Sequence, residues 1–405
     1  MFNFLFLLFL NTKNPIVIIP GLYGSALKAT YDETFKKRWF CPSRMQETLF
    51  WVDYKYFVPP FFDCTMYLLR GYYNSTSDTV TSYPNINIDV IDFGGDKGMS
   101  FIDTNGIFGS RSFDSFNSFF QYFKNKGYIV KKNIFGAPYD WRISILGIEE
   151  TYYPKLKDLI EQAYEKNDGL KVILVTYSMG GPISARFLSK FVDDSWKEKY
   201  IKKVIMIGPS VGGASTSVET AWKQVFPYIP SVKTRSTIES TASSPGLHSH
   251  LPNYHIFGNR TIIRTSSGEN ITASQIPKFL IDNKKVYGNS IPLLKKNQLI
   301  YGEIPQGPGV ETVVIYNSNI STKLTLDFSN GMHRDPSFEY VSGDGTIPTF
   351  AIDWICENWK SKYNIKCHDL ENSGENFIHS FLSKNPIVHE TVYNYTISDH
   401  INNSI

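Results

Sequence analysis

The sequence lacks the features that mark nucleic-acid-binding and membrane-spanning proteins. Its 405 residues carry a formal net charge of only +3, and lysine and arginine are spread along the chain rather than gathered in a basic tract. Nucleic-acid binding is therefore not expected. No stretch approaches the roughly 18 to 20 consecutive apolar residues that a membrane helix needs, so no transmembrane span is expected either.

Motifs for metals and nucleotides are also missing. GxGxxG, Walker, HExxH and HxxEH patterns do not occur. The close pair His248 and His250 has no cysteine or acid at ligand spacing, and we interpret it as a surface pair. No metal and no cofactor is expected.

Cysteine is scarce, and the four that occur form two local pairs, Cys41 with Cys64 and Cys356 with Cys367. This spacing favours two disulfide-closed loops made in an oxidising compartment. Six N-x-S/T sequons, which are candidates for N-glycosylation, favour the same compartment. They lie at Asn74, Asn259, Asn270, Asn319, Asn394 and Asn402.

The chain begins with an apolar block, MFNFLFLLFL. We predict that residues 1–12 are a signal peptide, although the block is short and lacks a basic start; the alternative is an apolar strand of the core. Together with the cysteine pairs and the sequons, this apolar block predicts a protein of the secretory pathway, either secreted or held in a lysosomal or vacuolar lumen.

Short apolar runs alternate with helical patterns, as in a mostly parallel α/β sheet. A helix is predicted over Tyr153 to Lys166, where apolar residues recur at helical spacing before Gly169. The predicted strands are Pro15 to Pro20, Gly127 to Phe135, Lys171 to Tyr177, Lys202 to Gly208 and Gly309 to Tyr316.

Two regions interrupt this alternation. Residues 39–75 are dense in aromatic residues and proline and are predicted to form a disulfide-closed lid and membrane-binding excursion. Residues 216–308 are rich in serine, threonine, asparagine and proline and are predicted to form an inserted cap domain. The α/β core then consists of residues 13–38, 76–215 and 309–405.

The run KVILVTYSMGG, residues 171–181, is typical of a nucleophile elbow. An apolar strand leads to Ser178, small residues form a tight turn, and a helix follows, as in the α/β-hydrolase fold. Thr176 stands where the motif usually has glycine. The alternative interpretation is an ordinary strand-to-helix junction with a capping serine.

A nucleophilic serine needs a base and an acid, which follow it in the order acid, then histidine, in this fold. Asp344 lies between glycines in YVSGDGTIP, although the same residues also fit a plain hairpin turn. His379 lies on a loop just before a helix predicted to start at Pro386 with Asn385 as its cap. His389 is the alternative base.

An esterase also needs backbone donors for the oxyanion. The residue after the nucleophile, Met179, supplies one position. The turn PGLYGS after the first strand offers Leu22 as the second, although its glycines also fit a plain turn.

Six segments together resemble the lecithin:cholesterol acyltransferase-like family, which includes a lysosomal phospholipase that is also a transacylase. They occur in the order of the family and span most of the chain. The segments are PIVIIPGLYGSAL (15–27), GAPYDWR (136–142), VTYSMGG (175–181), WKEKYIKKVIMIGPSVGG (196–213), GDGTIP (343–348) and SGENFIHSFLSKNP (373–386).

The resemblance implies an α/β-hydrolase fold with an inserted cap and a disulfide-closed lid. Its catalytic serine, aspartate and histidine match Ser178, Asp344 and His379, and its oxyanion donors match the amides of Leu22 and Met179. Its lid disulfide is similar to Cys41–Cys64, and its lid tryptophan is similar to Trp51.

The expected function is a serine-dependent phospholipase A or O-acyltransferase. It would cleave a fatty acyl ester of a glycerophospholipid at a membrane or lipoprotein-like surface and pass the acyl group to water or a lipid alcohol of the sterol or ceramide type. Aromatic residues of the excursion would rest at the membrane boundary, alongside others that form a small core. The alternatives are a neutral-lipid lipase or carboxylesterase, or a non-catalytic adhesion or lipid-carrier protein on the same fold.

Overall fold

The computed structural model describes residues 13–33, 40–103, 113–226, 233–360 and 364–401, the side chains of 398–401 excepted. The predicted signal peptide and Asn402 lie outside these ranges. The strands are β1 (Ile16–Ile19), β2 (Leu27–Tyr31), β3 (Met45–Trp51), β4 (Tyr72–Asn74), β5 (Thr79–Thr81), β6 (Asn87–Val90), β7 (Ile134–Gly136), β8 (Val172–Tyr177), β9 (Ile201–Ile207), β10 (Thr261–Arg264), β11 (Asn270–Thr272), β12 (Thr312–Tyr316), β13 (Asn319–Asp327), β14 (Ser337–Asp344) and β15 (Ile365–Asp369).

Most of the α-helices are short as well. They are α1 (Phe62–Leu68), α2 (Lys97–Ser100), α3 (Asn117–Asn125), α4 (Glu149–Glu165), α5 (Gly180–Arg186), α6 (Asp194–Tyr200), α7 (Ser215–Lys223), α8 (Arg235–Ala242), α9 (Pro245–His248), α10 (Tyr254–Phe257), α11 (Ile276–Asp282), α12 (Ser290–Tyr301), α13 (Thr349–Asn358) and α14 (Pro386–Ile401).

The central sheet has the order β15–β12–β9–β8–β1–β7, and every neighbouring pair in it is parallel. Its strands are short and apolar, and all four residues of β1 are buried. Strands of this kind need helices on both faces. The predicted α/β-hydrolase fold with a mostly parallel sheet is confirmed.

Alternate residues of each central strand face opposite layers, as the two-residue period of a strand requires. Ile16 and Ile18 pack with α3 and α14, whereas Val17 and Ile19 belong to the larger core that contains residues of α4 and α5. The carboxyl ends of these strands lie at one edge, where an open α/β sheet binds its ligands.

Four of the five predicted strands are confirmed as β1, β8, β9 and β12, and the predicted helix is α4. The strand predicted over Gly127 to Phe135 is wrong for most of its length, since β7 begins only at Ile134. The side chain of Ile129 is 54% exposed and Lys131 has a φ of 63°. This segment is a turn, and an apolar residue exposed in a turn looks like a strand residue in the sequence.

Smaller antiparallel sheets surround the core. Strand β2 pairs with β3 and β6, β4 pairs with β5, and a four-stranded sheet has the order β11–β10–β13–β14. The last sheet joins β10 and β11, from the predicted cap, to β13 and β14, from beyond residue 308. The division into core, lid and cap stays a prediction, and that boundary cuts across a sheet.

Both expected disulfides are present: Cys41–Cys64 joins the segment before β3 to α1, and Cys356–Cys367 joins α13 to β15. Across the described ranges, no helix combines the length and apolar character that crossing a membrane requires.

Candidate active site

Ser178 lies on a strained turn between β8 and α5. Its φ is 51°, an unusual value for a residue with a side chain, and such strain is typical of a nucleophile elbow. The glycines that follow are needed for close packing: a Cβ on Gly180 would lie 2.5 Å from the Ile19 carbonyl oxygen, and one on Gly181 would lie 2.6 Å from Cβ of Pro209. The turn therefore holds the serine against the first strand.

Thr176, which replaces the usual glycine, lies inside β8 between Ile19 and Met206 of the neighbouring strands. It is fully buried and does not have a positive φ. Because its backbone has the ordinary conformation of a β-strand, this position does not require glycine. The departure from the motif leaves the elbow intact.

Ser178, His379 and Asp344 form one continuous chain of hydrogen bonds. The His379 Nδ1 lies 2.7 Å from Asp344 Oδ2, and its Nε2 lies 2.9 Å from Ser178 Oγ. Since the carboxylate can only accept, Nδ1 carries the proton and Nε2 is free to accept the serine hydroxyl proton. The structure thus brings together the three residues named from the sequence, in the geometry of a serine nucleophile with its base.

The acid is held by its own turn at the end of β14. Asp344 is 2% exposed, and its Oδ1 accepts hydrogen bonds from the amides of Thr346 (3.0 Å) and Ile347 (2.6 Å). The turn leaves Oδ2 for His379, so the same residues serve both as a hairpin end and as the acid.

The other histidines that follow Asp344 are engaged elsewhere. His389 is buried in α14, where its Nε2 lies 2.9 Å from the Ser383 carbonyl oxygen and burial lowers its pKa. His368 on β15 contacts the Tyr395 hydroxyl at 3.1 Å. The structure therefore favours His379 over the alternative, His389.

The turn after β1 packs directly on the nucleophile. A Cβ on Gly21 would lie 2.9 Å from Cβ of Ser178, so only glycine allows this approach. Leu22 is the next residue, and Met179 lies at the start of α5. This arrangement brings the backbone of both predicted oxyanion residues beside the serine.

The serine opens into a cavity of about 790 Å³. Its walls are mostly apolar, and Leu22, Trp51, Val58 and Leu247 are among the residues that line it. Trp51 is 2% exposed and donates from Nε1 to the Tyr23 carbonyl oxygen at 3.2 Å. A cavity of this size and character suits long acyl chains.

GAPYDWR lies beside the site but contributes structure, not chemistry. The guanidinium of Arg142 is fully buried and donates to Asp140 Oδ1 (2.9 Å), to the Leu68 carbonyl oxygen (2.8 Å) and to Ser82 Oγ (2.8 Å). It thereby ties the end of α1 to the core. No signal in the sequence distinguishes this buried arginine from a solvated one.

The prediction of a surface location for His248 and His250 is wrong. Both rings are buried, and burial lowers the pKa of His248 to about 3 and that of His250 to about 4. His250 lines the same cavity as Ser178. The polar composition of residues 216–308 suggested exposure, but all four residues of α9 are buried and Leu247 lines the cavity.

The sequons that the structure describes are at or near the surface. Asn74 is partly exposed, and the exposed ones are Asn259, Asn270, Asn319 and Asn394. Exposure is required for glycosylation, and these five positions remain candidates.

Comparison with known proteins shows the family. The model of the family described as "Lecithin:cholesterol acyltransferase" matches residues 47–287, more than half of the chain. The chain belongs to the lecithin:cholesterol acyltransferase family. It is an enzyme of the acyltransferase and phospholipase class that this family comprises.

Two family members illustrate the extent of the similarity. The chain is 27% identical over 385 residues to the phosphatidylcholine-sterol acyltransferase of Homo sapiens, covering 94% of this chain and 84% of that protein. It is 28% identical over 355 residues to the lysosomal phospholipase A and acyltransferase of Bos taurus, covering 86% of this chain and 84% of that protein.

Among solved structures, the Tle4–Tli4 complex contains a chain of similar fold. The TM-score is 0.52 at 15% identity, with 95% of this chain and 98% of that chain covered. This similarity shows the fold alone.

Proposed function

We propose that this protein is a serine-dependent phospholipase A and O-acyltransferase that acts on glycerophospholipids. The observation that carries the proposal is the hydrogen-bonded chain Ser178–His379–Asp344 at the wall of an apolar cavity of about 790 Å³. Relatives named phosphatidylcholine-sterol acyltransferase and lysosomal phospholipase A and acyltransferase support it.

In the first half of the reaction, Ser178 attacks the ester carbonyl while His379 Nε2 takes its proton. Asp344 holds the imidazole in the reactive tautomer and stabilises the imidazolium. The amides of Leu22 and Met179 donate to the oxyanion. His379 then returns the proton to the leaving alcohol, and lysophospholipid departs from the acyl-enzyme.

In the second half, an acceptor hydroxyl attacks the acyl-enzyme with His379 again as base. Water would give a free fatty acid, and a lipid alcohol of the sterol or ceramide type would give a new ester. The cavity supports a lipid acceptor because its apolar wall continues past Trp51 to Val58, which is 52% exposed. We expect the protein to work at a membrane or lipoprotein-like surface, either secreted or in a lysosomal or vacuolar lumen.

A fluorophosphonate probe tests the nucleophile. We expect covalent labelling of the wild type and none of Ser178→Ala. Ser184→Ala is the matched control, because this buried serine of α5 donates to the Gly181 carbonyl oxygen and does not line the cavity. Labelling of Ser178→Ala equal to wild type, or no labelling of the wild type, would show that the assignment is wrong.

Product analysis with phosphatidylcholine liposomes tests the substrate and the acceptor. We expect free fatty acid from plain liposomes and additional acyl ester when sterol or ceramide is included. Faster cleavage of triolein than of phosphatidylcholine would identify a neutral-lipid lipase instead. A labelled protein that releases neither product would contradict the phospholipase proposal.

A further inference from the structure

Tyr177, the residue before the nucleophile, makes two separate contacts with His379. Its hydroxyl donates to the His379 carbonyl oxygen at 2.5 Å. Its ring stacks on the imidazole, with ring centroids 5.3 Å apart and planes inclined by 23°. One side chain therefore contacts both the backbone and the ring of the base.

These contacts matter because His379 lies on a loop. It starts a short 3₁₀ segment between β15 and α14, whereas Ser178 directly follows the central strand β8 and Asp344 ends β14. Loops move more than the sheet that they flank. A general base must stay within hydrogen-bond distance of its nucleophile, and a displacement of about 1 Å can cost about 100-fold in rate.

The side chain of Tyr177 is itself fixed by its neighbours. Its ring packs against Phe116 in an edge-to-face arrangement with centroids 5.9 Å apart. On another side, a Cβ on Gly21 would lie only 3.1 Å from its Cδ1. The tyrosine is thus held by the rigid end of β8 and by the turn that carries the predicted oxyanion donor.

We propose that Tyr177 is a positioning residue for the reaction, which holds His379 at a fixed distance from Ser178. The inference rests on the proposed function, because it assigns His379 as the base for Ser178. Adjacent residues of one strand end then supply the nucleophile and the anchor of its base. The hydroxyl fixes the backbone of the loop, and the ring fixes the plane of the imidazole.

The stacked ring also has an electrostatic effect when His379 takes the serine proton. The electron-rich face of a tyrosine attracts a nearby cation, so it stabilises the imidazolium of the transition state. Other ionisable groups face the same site: Asp344 contacts His379, His250 lies near it, and Asp114 and Lys384 line the cavity. All of these groups are kept in variants of Tyr177, so they do not account for a difference between the variants and the wild type.

Two variants separate the two contacts. Tyr177→Phe keeps the ring and removes the donor, and Tyr177→Leu removes both. With short-chain phosphatidylcholine, we expect kcat to fall about 10-fold for Phe and about 100-fold for Leu, with KM within about twofold of wild type.

Tyr152→Phe is the matched control, because Tyr152 is a buried tyrosine of α4 whose hydroxyl donates to the Ala137 carbonyl oxygen at 2.8 Å. It loses an equivalent bond that does not involve His379 and should keep the wild-type kcat. Rates are normalised to the fraction of serine that a fluorophosphonate titrates, so misfolded protein does not count. If Tyr177→Leu fails to fold, the comparison of Tyr177→Phe with Tyr152→Phe is sufficient to test the positioning role.

The inference is overturned if Tyr177→Phe keeps the wild-type kcat, or if its loss appears in KM or equals that of Tyr152→Phe. The proposed function fails in a different way, since the wild type itself would then not be labelled or would release no acyl product. An active wild type with unaffected Tyr177 variants would reject the positioning role and leave the esterase assignment in place.

Discussion

The buried histidines His248 and His250 lower the stability of the folded state in a way that depends on pH. Both nitrogens of His248 and the Nε2 of His250 are buried with no hydrogen-bond partner among the described residues. Burial lowers the pKa of these rings to about 3 and about 4. In the unfolded chain these rings have a pKa near 6.5. Below that pH the unfolded state therefore binds more protons than the folded state. Stability is therefore complete above about pH 7 and is lost as the pH falls.

This linkage predicts that His248→Leu flattens the acid side of the stability curve. Between pH 7 and about pH 5, the folded state should lose about 2 kcal/mol through His248, at up to about 1.4 kcal/mol per pH unit. The leucine variant should not show that loss. The measurement is urea unfolding at several pH values. The control is His333→Leu, where the ring is exposed, and the same flattening in both variants would contradict the prediction.

At the scale of single residues, the sequence predicts chemistry better than burial. Ser178, Asp344 and His379 are recognisable because the elbow, the glycine turn and the loop before a capped helix are local patterns. Asn385 accepts from the Ile387 amide at 2.9 Å, as a cap should. The environment of His248 depends on which elements pack over it, and a single sequence contains no local trace of that packing.

At the scale of elements, the end of the excursion depends on Arg142. Helix α1 carries Cys64, and the carbonyl oxygen of its last residue, Leu68, accepts from the guanidinium. A planar guanidinium reaches Asp140, Leu68 and Ser82 at once, which a lysine ammonium does not. The arginine thus joins the excursion to the loop after β7.

We predict that Arg142→Lys lowers the free energy of unfolding by about 3 kcal/mol, because buried carbonyl and carboxylate oxygens lose their donors. The measurement is urea unfolding at neutral pH. Arg264→Lys is the control, since Arg264 forms partly exposed ion pairs with Asp327 and Glu339 and should lose much less. An equal loss in the two variants would argue against an anchoring role for Arg142.

Strands and helices with a clear local pattern of apolar residues could be predicted from the sequence, but the pairing of strands that lie far apart in the chain could not. Strands β1, β8, β9 and β12 consist mostly of apolar residues, which is sufficient to recognise them. Strand β10 pairs in parallel with β13 about 60 residues later, through Ile263 and Leu326. Neither strand has a sequence feature that identifies its partner, so the four-stranded sheet and the limits of the cap cannot be predicted from a single sequence.

At the scale of the whole molecule, the cavity connects the nucleophile to one exposed apolar edge. Val58 lines the cavity and is 52% exposed, and Pro59 and Pro60 beside it are exposed. Lys55 is exposed as well, which suits the boundary between lipid headgroups and acyl chains. A phospholipid that leaves a bilayer at this edge would reach Ser178 without crossing water.

This arrangement predicts that Val58→Asp uncouples membrane binding from chemistry. Burying the valine in a lipid interface is worth about 1.5 kcal/mol, so a charge there should lower binding to phosphatidylcholine liposomes and turnover of their lipid by at least about 10-fold. Sedimentation with liposomes and release of fatty acid measure the two effects. Turnover of a water-soluble short-chain ester should fall by less than about twofold, because Val58 takes no part in the hydrogen-bonded chain of Ser178, His379 and Asp344.

The control for this prediction is Ile129→Asp, which places the same charge on a side chain of similar exposure, 54%, on the turn before β7 and outside the cavity lining. It should leave both liposome activities at the wild-type level, since that turn lies away from the exposed edge of the excursion. Equal losses in the two variants would mean that charge alone, and not its position, weakens binding. A loss of soluble-ester turnover in Val58→Asp as large as the loss on liposomes would place the defect in the cavity and contradict a membrane contact at this edge.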